Sequence, residues 1–155
     1  MIALIQRVTR ASVSINSKIH SKIDEGILVF LGITNIDTEA DSNYVIKKLL
    51  NLRIFPNNDS NFDLSVEKSD RSILIISNFT LSSNTRIGNR PDFSNALNPK
   101  KAKILYEKFT ISLKEKFPKV KTGIFGEEME VNLNNWGPVT LIINSNDRNY
   151  SRSSF

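Results

Sequence analysis

The chain has 155 residues, of which 39% are hydrophobic and 24% charged, proportions typical of one soluble globular domain. It has no cysteine and a single histidine, His20, which excludes disulfides, a thiol nucleophile, a conventional Ser-His-Asp site and a zinc site built from nitrogen and sulfur ligands. No segment has the length of a membrane span and the N-terminus carries no export signal, so we expect a cytoplasmic protein without metal or cofactor. The net charge of +5 is compatible with a polyanionic partner.

The first half of the chain predicts strands and one helix. Apolar and polar residues alternate over residues 11–15, which predicts a half-buried strand followed by a turn. Residues 26–33 form a continuous apolar run with a glycine near each end, which predicts a strand buried on both faces. Thr38 and Asp41 resemble a capping box, and they predict the start of a helix whose apolar stripe spans residues 45–52.

The second half adds a central strand, a second helix and two more strands. A strand is predicted from about Ser72 to Leu81, where an apolar run ends in a small polar cluster. Asn98 and Pro99 suit the N-cap and first turn of a helix that ends at Pro118. Alternation predicts a strand over residues 129–133, and a β-prone run predicts the last strand over residues 139–143.

These elements predict one mixed α/β domain, residues 1–143, built on a curved, barrel-like β-sheet with two main helices. The composition changes after residue 143, where asparagine, serine and arginine dominate. We therefore expect residues 144–155 to be a polar, disordered tail.

The pair Gly137-Pro138 precedes the last strand and is the most informative dipeptide of the chain. An X-Pro bond is the only peptide bond that adopts the cis form at modest cost, and glycine leaves the backbone bare, so carbonyl groups can approach a ligand here. The alternative interpretation is a turn that only introduces the strand.

Three further motifs accompany this pair: Gln6-Arg7-Val8, the run Ser77-Asn78-Phe79-Thr80-Leu81, and a basic loop that contains Thr85, Gly88 and Arg90-Pro91-Asp92-Phe93. With the segment from Asn135 to Thr140 they make the chain resemble the D-aminoacyl-tRNA deacylases. The family pattern has Gln-Arg-Val, Ser-Gln-Phe-Thr-Leu, Thr-x-x-Gly-x-Arg-Pro-x-Phe and Asn-x-Gly-Pro-Val-Thr in that order. The resemblance covers residues 1–143, with one departure, because Asn78 stands where the family has Gln.

The resemblance implies a hydrolase that cleaves the ester of D-aminoacyl-tRNA, with glycyl-tRNA as a further substrate, in a translation proofreading role. It implies that Ser77, Asn78, Phe79 and Thr80 line the adenosine and ester pocket. It also implies a homodimer with a cross-subunit active site, in which a cis Gly137-Pro138 bond of one subunit enters the site of the other and excludes L-amino acids. Arg7 would brace that loop, and Phe125 and Met129 would form pocket walls.

Several of these roles have alternatives. No histidine or cysteine can activate a hydroxyl group, so Thr80 is better suited to position the substrate than to attack it. The neighbouring 2′-hydroxyl of the terminal ribose would then assist the attack on the ester carbonyl. The alternative for Ser77 and Thr80 is that they only satisfy backbone groups at a strand end. The alternative for Phe125 and Met129 is ordinary core packing.

Basic residues form the predicted contact surface for tRNA: Arg86, Arg90, Lys100, Lys101 and Lys103. The alternative for the lysines is an ordinary solvated helix face. Two other functions are open at this stage, a non-catalytic RNA-binding module and an esterase of small D-amino-acid derivatives.

Overall fold

The computed structural model describes residues 1–86 and 88–150. Six strands and two α-helices follow one another along the chain: β1 Ile2–Ile15, β2 Lys18–Ile23, β3 Gly26–Gly32, α1 Glu39–Asn51, β4 Ser72–Ser77, α2 Pro99–Lys116, β5 Val120–Thr122 and β6 Glu130–Asn144. Short 3-10 helices span Phe79–Ser82 and Ser145–Asn149. No helix in the described part of the chain is long and apolar enough to cross a membrane.

The sheet is organised around the long strand β1. One edge of β1 pairs antiparallel with β3 through residues 2–8 and with β2 through residues 11–15, while the other edge pairs antiparallel with β6. β3, β4 and β5 then run parallel to one another. The Ser21 hydroxyl of β2 donates a 2.8 Å hydrogen bond to the carbonyl of Thr122 in β5, which brings the ends of the sheet together. The predicted mixed, barrel-like sheet with two main helices is confirmed.

Both faces of the central strands are buried, as the apolar pattern of residues 26–33 predicts. Val29 and Ile75 face the main core beneath the two helices. Leu28 and Leu74 face a smaller cluster inside the curved sheet. This double burial is the usual environment of parallel strands, which read as continuous apolar runs.

Both helix starts are capped as predicted. The backbone N–H of Thr38 donates to the Asp41 carboxylate at 2.9 Å, which completes the capping box of α1. The side-chain oxygen of Asn98 accepts from the N–H of Lys100 at 3.1 Å, and Pro99 occupies the first turn of α2. Because these caps fix where each helix begins, they also fix the position of the α2 N-terminus relative to β3 and β4.

The central strand is shorter than predicted. It ends at Ser77, and a 3-10 helix replaces the expected extension to Leu81. The cause is Asn78, whose side-chain oxygen accepts a hydrogen bond from the N–H of Thr80 at 3.1 Å. A short polar side chain that bonds to the backbone two residues ahead competes with strand pairing.

The predicted disorder of the tail does not apply to residues 144–150. Asn144 ends β6, and Ser145 is fully buried, with its N–H donating to the carbonyl of Met1 at 2.9 Å. Arg148 forms an ion pair with the buried Asp41 of α1. Polar composition indicates disorder only where tertiary contacts are absent. The rest of the predicted tail, residues 151–155, lies outside the described residues.

Candidate active site

A cleft of about 340 Å³ opens at the carboxyl ends of β3 and β4. Its size is that of a small-ligand site. The N-terminal turn of α2 and the side chain of Phe125 close its sides. Ser77, Asn78 and Phe79 line it, so the structure brings together three of the four residues predicted for the ester pocket. The remaining lining is mostly apolar and comprises Leu31, Ile33, Phe93, Ala96, Leu97, Asn98, Pro99 and Ala102.

Thr80, the fourth predicted residue, is exposed beside this cleft and does not line it. Its hydroxyl donates a hydrogen bond to the side-chain oxygen of Asn78, the same atom that accepts from the Thr80 N–H. A neutral amide oxygen cannot remove a proton from a hydroxyl group. None of the residues lining the cleft is a histidine or a carboxylate, and His20 lies on the exposed part of β2. The geometry therefore contains no activated nucleophile at Thr80.

Two phenylalanine rings form a rim at the mouth of the cleft. Phe79 and Phe93 meet edge to face, with ring centroids 5.0 Å apart, and 59% of Phe79 and 38% of Phe93 are exposed. Exposed aromatic faces are the usual platform on which nucleic-acid bases stack. No role was predicted for Phe93 from the sequence, although Phe93 is the last residue of the Arg-Pro-x-Phe motif.

The two predicted wall residues have different positions. Phe125 lines the cleft and contacts the ring of Tyr106, whose centroid lies 5.5 Å away. Burial raises the pKa of the Tyr106 phenol, which donates a hydrogen bond to the carbonyl of Ile75. Met129 does not line the cleft, because it packs against the smaller apolar cluster that includes Ile76. Within one chain, Met129 therefore fits the alternative interpretation, core packing.

Arg7 lies behind the Gly137-Pro138 peptide, whose bond is cis. The Nε of Arg7 donates to the carbonyl of Trp136 at 3.0 Å, and its Nη1 donates to the carbonyl of Ile54 at 2.7 Å. The guanidinium also lies over the Trp136 ring, 4.6 Å from the centroid. Burial lowers the pKa of Arg7, and the nearby charge of Arg71 adds to this effect. Arg7 therefore contacts the residue directly before Gly137 in two ways.

Strand register separates Gly137-Pro138 from the cleft of the same chain. Arg7, which contacts this loop, pairs with Ile27 of β3, and Ile27 pairs with Ile73 of β4. Ser77 lies four residues further along β4, or roughly 13 Å at the rise of a β-strand. The cleft lining accordingly contains neither residue of the pair. One chain alone does not bring the predicted selectivity loop to the predicted ester pocket.

The predicted tRNA-binding residues border the cleft on two sides. Lys100, Lys101 and Lys103 are exposed in the first two turns of α2, next to the lining residues Pro99 and Ala102. Lys103 lies 3.9 Å from Glu107, a weak surface ion pair. On the other side, the exposed residues Arg86 and Arg90 belong to the loop that carries Phe93. The roles of these residues remain predictions.

Comparison with known proteins identifies the family of the chain. A family model described as D-Tyr-tRNA(Tyr) deacylase matches residues 4–144. A D-aminoacyl-tRNA deacylase of Aquifex aeolicus is 48% identical over 147 residues, which are 95% of this chain and 99% of the relative. One of Staphylococcus haemolyticus is 46% identical, with coverage of 95% and 97%.

Solved structures give the same result for the fold. A protein titled c-Myc DNA Unwinding Element Binding Protein superposes with a TM-score of 0.89 at 37% identity, covering 93% of this chain and 98% of its own. A probable eukaryotic D-amino acid tRNA deacylase superposes with a TM-score of 0.80 at 17% identity, with coverage of 92% and 97%, and supports the fold alone.

The fold and its relatives thus define the class as hydrolases that deacylate aminoacyl-tRNA. More specifically, the chain belongs to the D-Tyr-tRNA(Tyr) deacylase family. The predictions of family, fold class and enzyme class are confirmed.

Proposed function

We propose that this protein removes D-amino acids from tRNA in the cytoplasm by hydrolysing the ester bond to the terminal ribose. The observation that carries the proposal is the cleft itself. Ser77, Asn78 and Phe79 line a space of about 340 Å³ with an aromatic rim, and exposed cations border it. An apolar pocket with a stacking platform suits a terminal adenosine, and the flanking positive charges suit the phosphates of a tRNA acceptor arm.

The chemistry relies on the substrate. The Thr80 hydroxyl donates a hydrogen bond to the side-chain oxygen of Asn78, and no base lines the cleft. The terminal ribose brings a 2′-hydroxyl next to the ester, where it can assist attack by water on the carbonyl carbon. Holding the ester beside that hydroxyl in one orientation supplies acceleration without a dedicated base. Thr80 and Asn78 act as positioning residues in this mechanism.

Selection between D- and L-amino acids comes from Gly137-Pro138 of a second subunit. In one chain this loop lies roughly 13 Å along the strands from Ser77, so a site containing both needs two copies. Arg7 holds the loop through the Trp136 carbonyl, which gives it a fixed shape. A rigid backbone opposite the α-carbon excludes the L side chain by a steric clash. A hydrogen atom in the same position is small enough to fit. Glycyl-tRNA is therefore also a substrate.

The strand β6 provides a surface for the second copy. One edge of β6 pairs with β1, and no strand among residues 1–86 and 88–150 pairs with the other edge. Near its C-terminal end, 68% of Ile142 and 36% of Leu141 are exposed. A long unpaired edge with exposed apolar side chains tends to associate with another chain. We therefore propose a homodimer.

A mixing experiment tests the cross-subunit site. Asn78→Ala and Gly137→Ala homodimers each carry one defect in every site. In a heterodimer of the two, one site has both defects and the other has neither, so mixing and reassociation should restore about a quarter of the wild-type activity. A site built within one subunit predicts that the mixture stays as inactive as its components.

A second assay tests the activity itself against its two alternatives. Wild-type protein is given D-tyrosyl-tRNA, L-tyrosyl-tRNA and the methyl ester of D-tyrosine. The proposed function predicts hydrolysis of D-tyrosyl-tRNA alone. An RNA-binding module hydrolyses none of the three, and a small-molecule esterase hydrolyses the methyl ester without tRNA.

A further inference from the structure

A second cleft, of about 450 Å³, lies on the other side of the 3-10 helix Phe79–Ser82. Unlike the first cleft, it is polar. Its lining includes three hydroxyl groups and several amides. Those that matter to its chemistry are Ser82, Ser83, Arg86, Asn95, Asn144 and Asn146.

The two clefts share their dividing walls. Residues 33–35, 79–83 and 95–97 each contribute to both, with Ile33, Phe79 and Leu97 lining the apolar cleft and their neighbours lining the polar one. The first and third segments are joined by a hydrogen bond of 3.0 Å from the N–H of Asn35 to the carbonyl of Asn95. The wall contributed by the 3-10 helix spans roughly 8 Å at the rise of such a helix. The clefts are thus close enough for one to bind a nucleoside and the other to bind the phosphodiester group attached to it.

The charge of the second cleft is suited to an anion. Arg86 lines it, and no aspartate or glutamate does. Among the described residues Arg86 makes no ion pair. The ammonium of Met1 also borders the cleft but is paired with Asp37. A guanidinium free of a carboxylate partner is the side chain best matched to a phosphate, because its planar fork makes two parallel hydrogen bonds.

One local hydrogen bond and one unpaired buried hydroxyl group suit the cleft to this ligand. The N–H of Arg86 donates to the side-chain oxygen of Asn84 at 3.1 Å, which holds the Arg86 backbone at the edge of the cleft. Ser82 is only 5% exposed, and its hydroxyl has no hydrogen-bond partner among the described residues. Buried hydroxyl groups normally have a partner, so this one would gain a partner if the Ser82 side chain turned toward a ligand oxygen or a water that the ligand orders.

We propose that this polar cleft binds the phosphodiester directly 5′ of the terminal adenosine. The inference rests on the proposed function, because it assumes that the adenosine occupies the adjacent apolar cleft. Arg86 supplies the charge, and the asparagine amides and Ser82 supply additional donors. The cleft thus distinguishes an aminoacyl group carried by an RNA strand from one carried by a free nucleoside.

Binding of the dinucleotide CpA and of adenosine, measured by calorimetry, tests the proposal without hydrolysis. Wild-type protein should bind CpA more tightly than adenosine. Arg86→Gln should weaken CpA binding about tenfold, the loss expected for one charge-assisted contact, and leave adenosine binding unchanged. Ser82→Ala should weaken CpA binding by a smaller factor. Arg10→Gln is the matched control, because Arg10 is an exposed arginine of β1 outside both clefts, and it should change neither affinity.

Two outcomes overturn the proposal. One is an Arg86→Gln variant that binds CpA as tightly as the wild type does. The other is a variant that loses affinity for CpA and adenosine by the same factor, since Arg86 would then act on the nucleoside. Hydrolysis of D-tyrosyl-tRNA by the wild type is measured in parallel. Its absence refutes the proposed function, whereas the CpA comparison still decides whether this cleft binds phosphate.

Discussion

The Nε of Arg7 donates a 3.0 Å hydrogen bond to the carbonyl oxygen of Trp136, the residue that precedes Gly137. Arg7 is only 5% exposed, and it also donates to the carbonyl of Ile54. One buried guanidinium therefore joins β1, the segment after α1 and the loop proposed to select the substrate. The shape of that loop depends on the core and not only on its own sequence.

Replacing Arg7 by lysine should affect both stability and selectivity. A single ammonium group cannot reach all the carbonyls that the planar fork contacts, and each buried carbonyl left unpaired costs about 1–3 kcal/mol. We expect Arg7→Lys to lower the free energy of unfolding by about that amount and to reduce the ratio of D- to L-aminoacyl hydrolysis. Urea unfolding can be followed through Trp136, the only tryptophan. Arg10→Lys, on the exposed part of β1, should change neither quantity, and an Arg7→Lys variant with wild-type stability and selectivity contradicts the bracing role.

Gly137→Ala should destabilise the fold because the added methyl group clashes with residues of the same subunit. Gly137 has a φ of +134°, and a Cβ there would lie 2.7 Å from Val139 Cγ2 and 3.1 Å from Arg7 Nη2. The added methyl group thus meets the subunit's own side chains. We expect loss of stability, measured by urea unfolding, together with loss of D-aminoacyl hydrolysis.

Gly126 provides the matched control for this substitution. Its φ is +84°, but a Cβ there has nothing within 4 Å, so Gly126→Ala carries the backbone strain without the clash. If Gly137→Ala is as stable as Gly126→Ala and keeps its D-specific activity, the Gly137-Pro138 segment is no more than a turn that introduces the strand.

Thr80→Ala should retain substantial activity. In the structure the Thr80 hydroxyl is hydrogen-bonded to an amide oxygen. Its removal should therefore weaken the positioning of the substrate without removing a covalent step of the reaction. We expect kcat to fall by less than about 100-fold, whereas loss of a nucleophile costs several orders of magnitude. The same assay with D-tyrosyl-tRNA that ends in 2′-deoxyadenosine should give no turnover. Full activity on this deoxy substrate contradicts the substrate-assisted mechanism.

Ile142→Glu should dissociate the proposed dimer. Ile142 is 68% exposed on β6, which has one unpaired edge, and burying a charge at an apolar interface is unfavourable. We expect a monomer in analytical ultracentrifugation, with little deacylase activity because the site is incomplete. Ile111→Glu on α2 introduces the same charge at a residue that is 58% exposed, and it should remain dimeric. A dimeric and active Ile142→Glu variant shows that another surface holds the subunits together.

Local sequence patterns predicted most of the fold because they indicate which faces of each strand and helix are buried. The run from Gly26 to Gly32 is apolar at every position, and both of its faces are buried. Asn78 is the counterexample. The apolar residues around it indicated a continued strand, but its side chain bonds to the Thr80 amide and starts a 3-10 helix. Backbone competition by a single polar side chain is not visible in a hydrophobic pattern.

The candidate site was only partly predictable for a different reason. The motif that carries the family resemblance identified Ser77, Asn78 and Phe79, which are consecutive. Phe93 reaches the same cleft from a distant segment, and Met129 faces away from it. Such placements depend on tertiary packing, as does the partition between the apolar and polar clefts.

The proposed site excludes a side chain in the L position by a steric clash and accepts a substrate that has hydrogen there. The most direct measurement gives the wild-type enzyme four substrates: glycyl-, D-alanyl-, L-alanyl- and α-aminoisobutyryl-tRNA. The last carries a methyl group in both the D and the L position. Steric exclusion in the L position predicts hydrolysis of the glycyl and D-alanyl esters and rejection of the other two. Hydrolysis of the α-aminoisobutyryl ester as fast as the D-alanyl ester would contradict it, because a methyl group in the L position would then be tolerated.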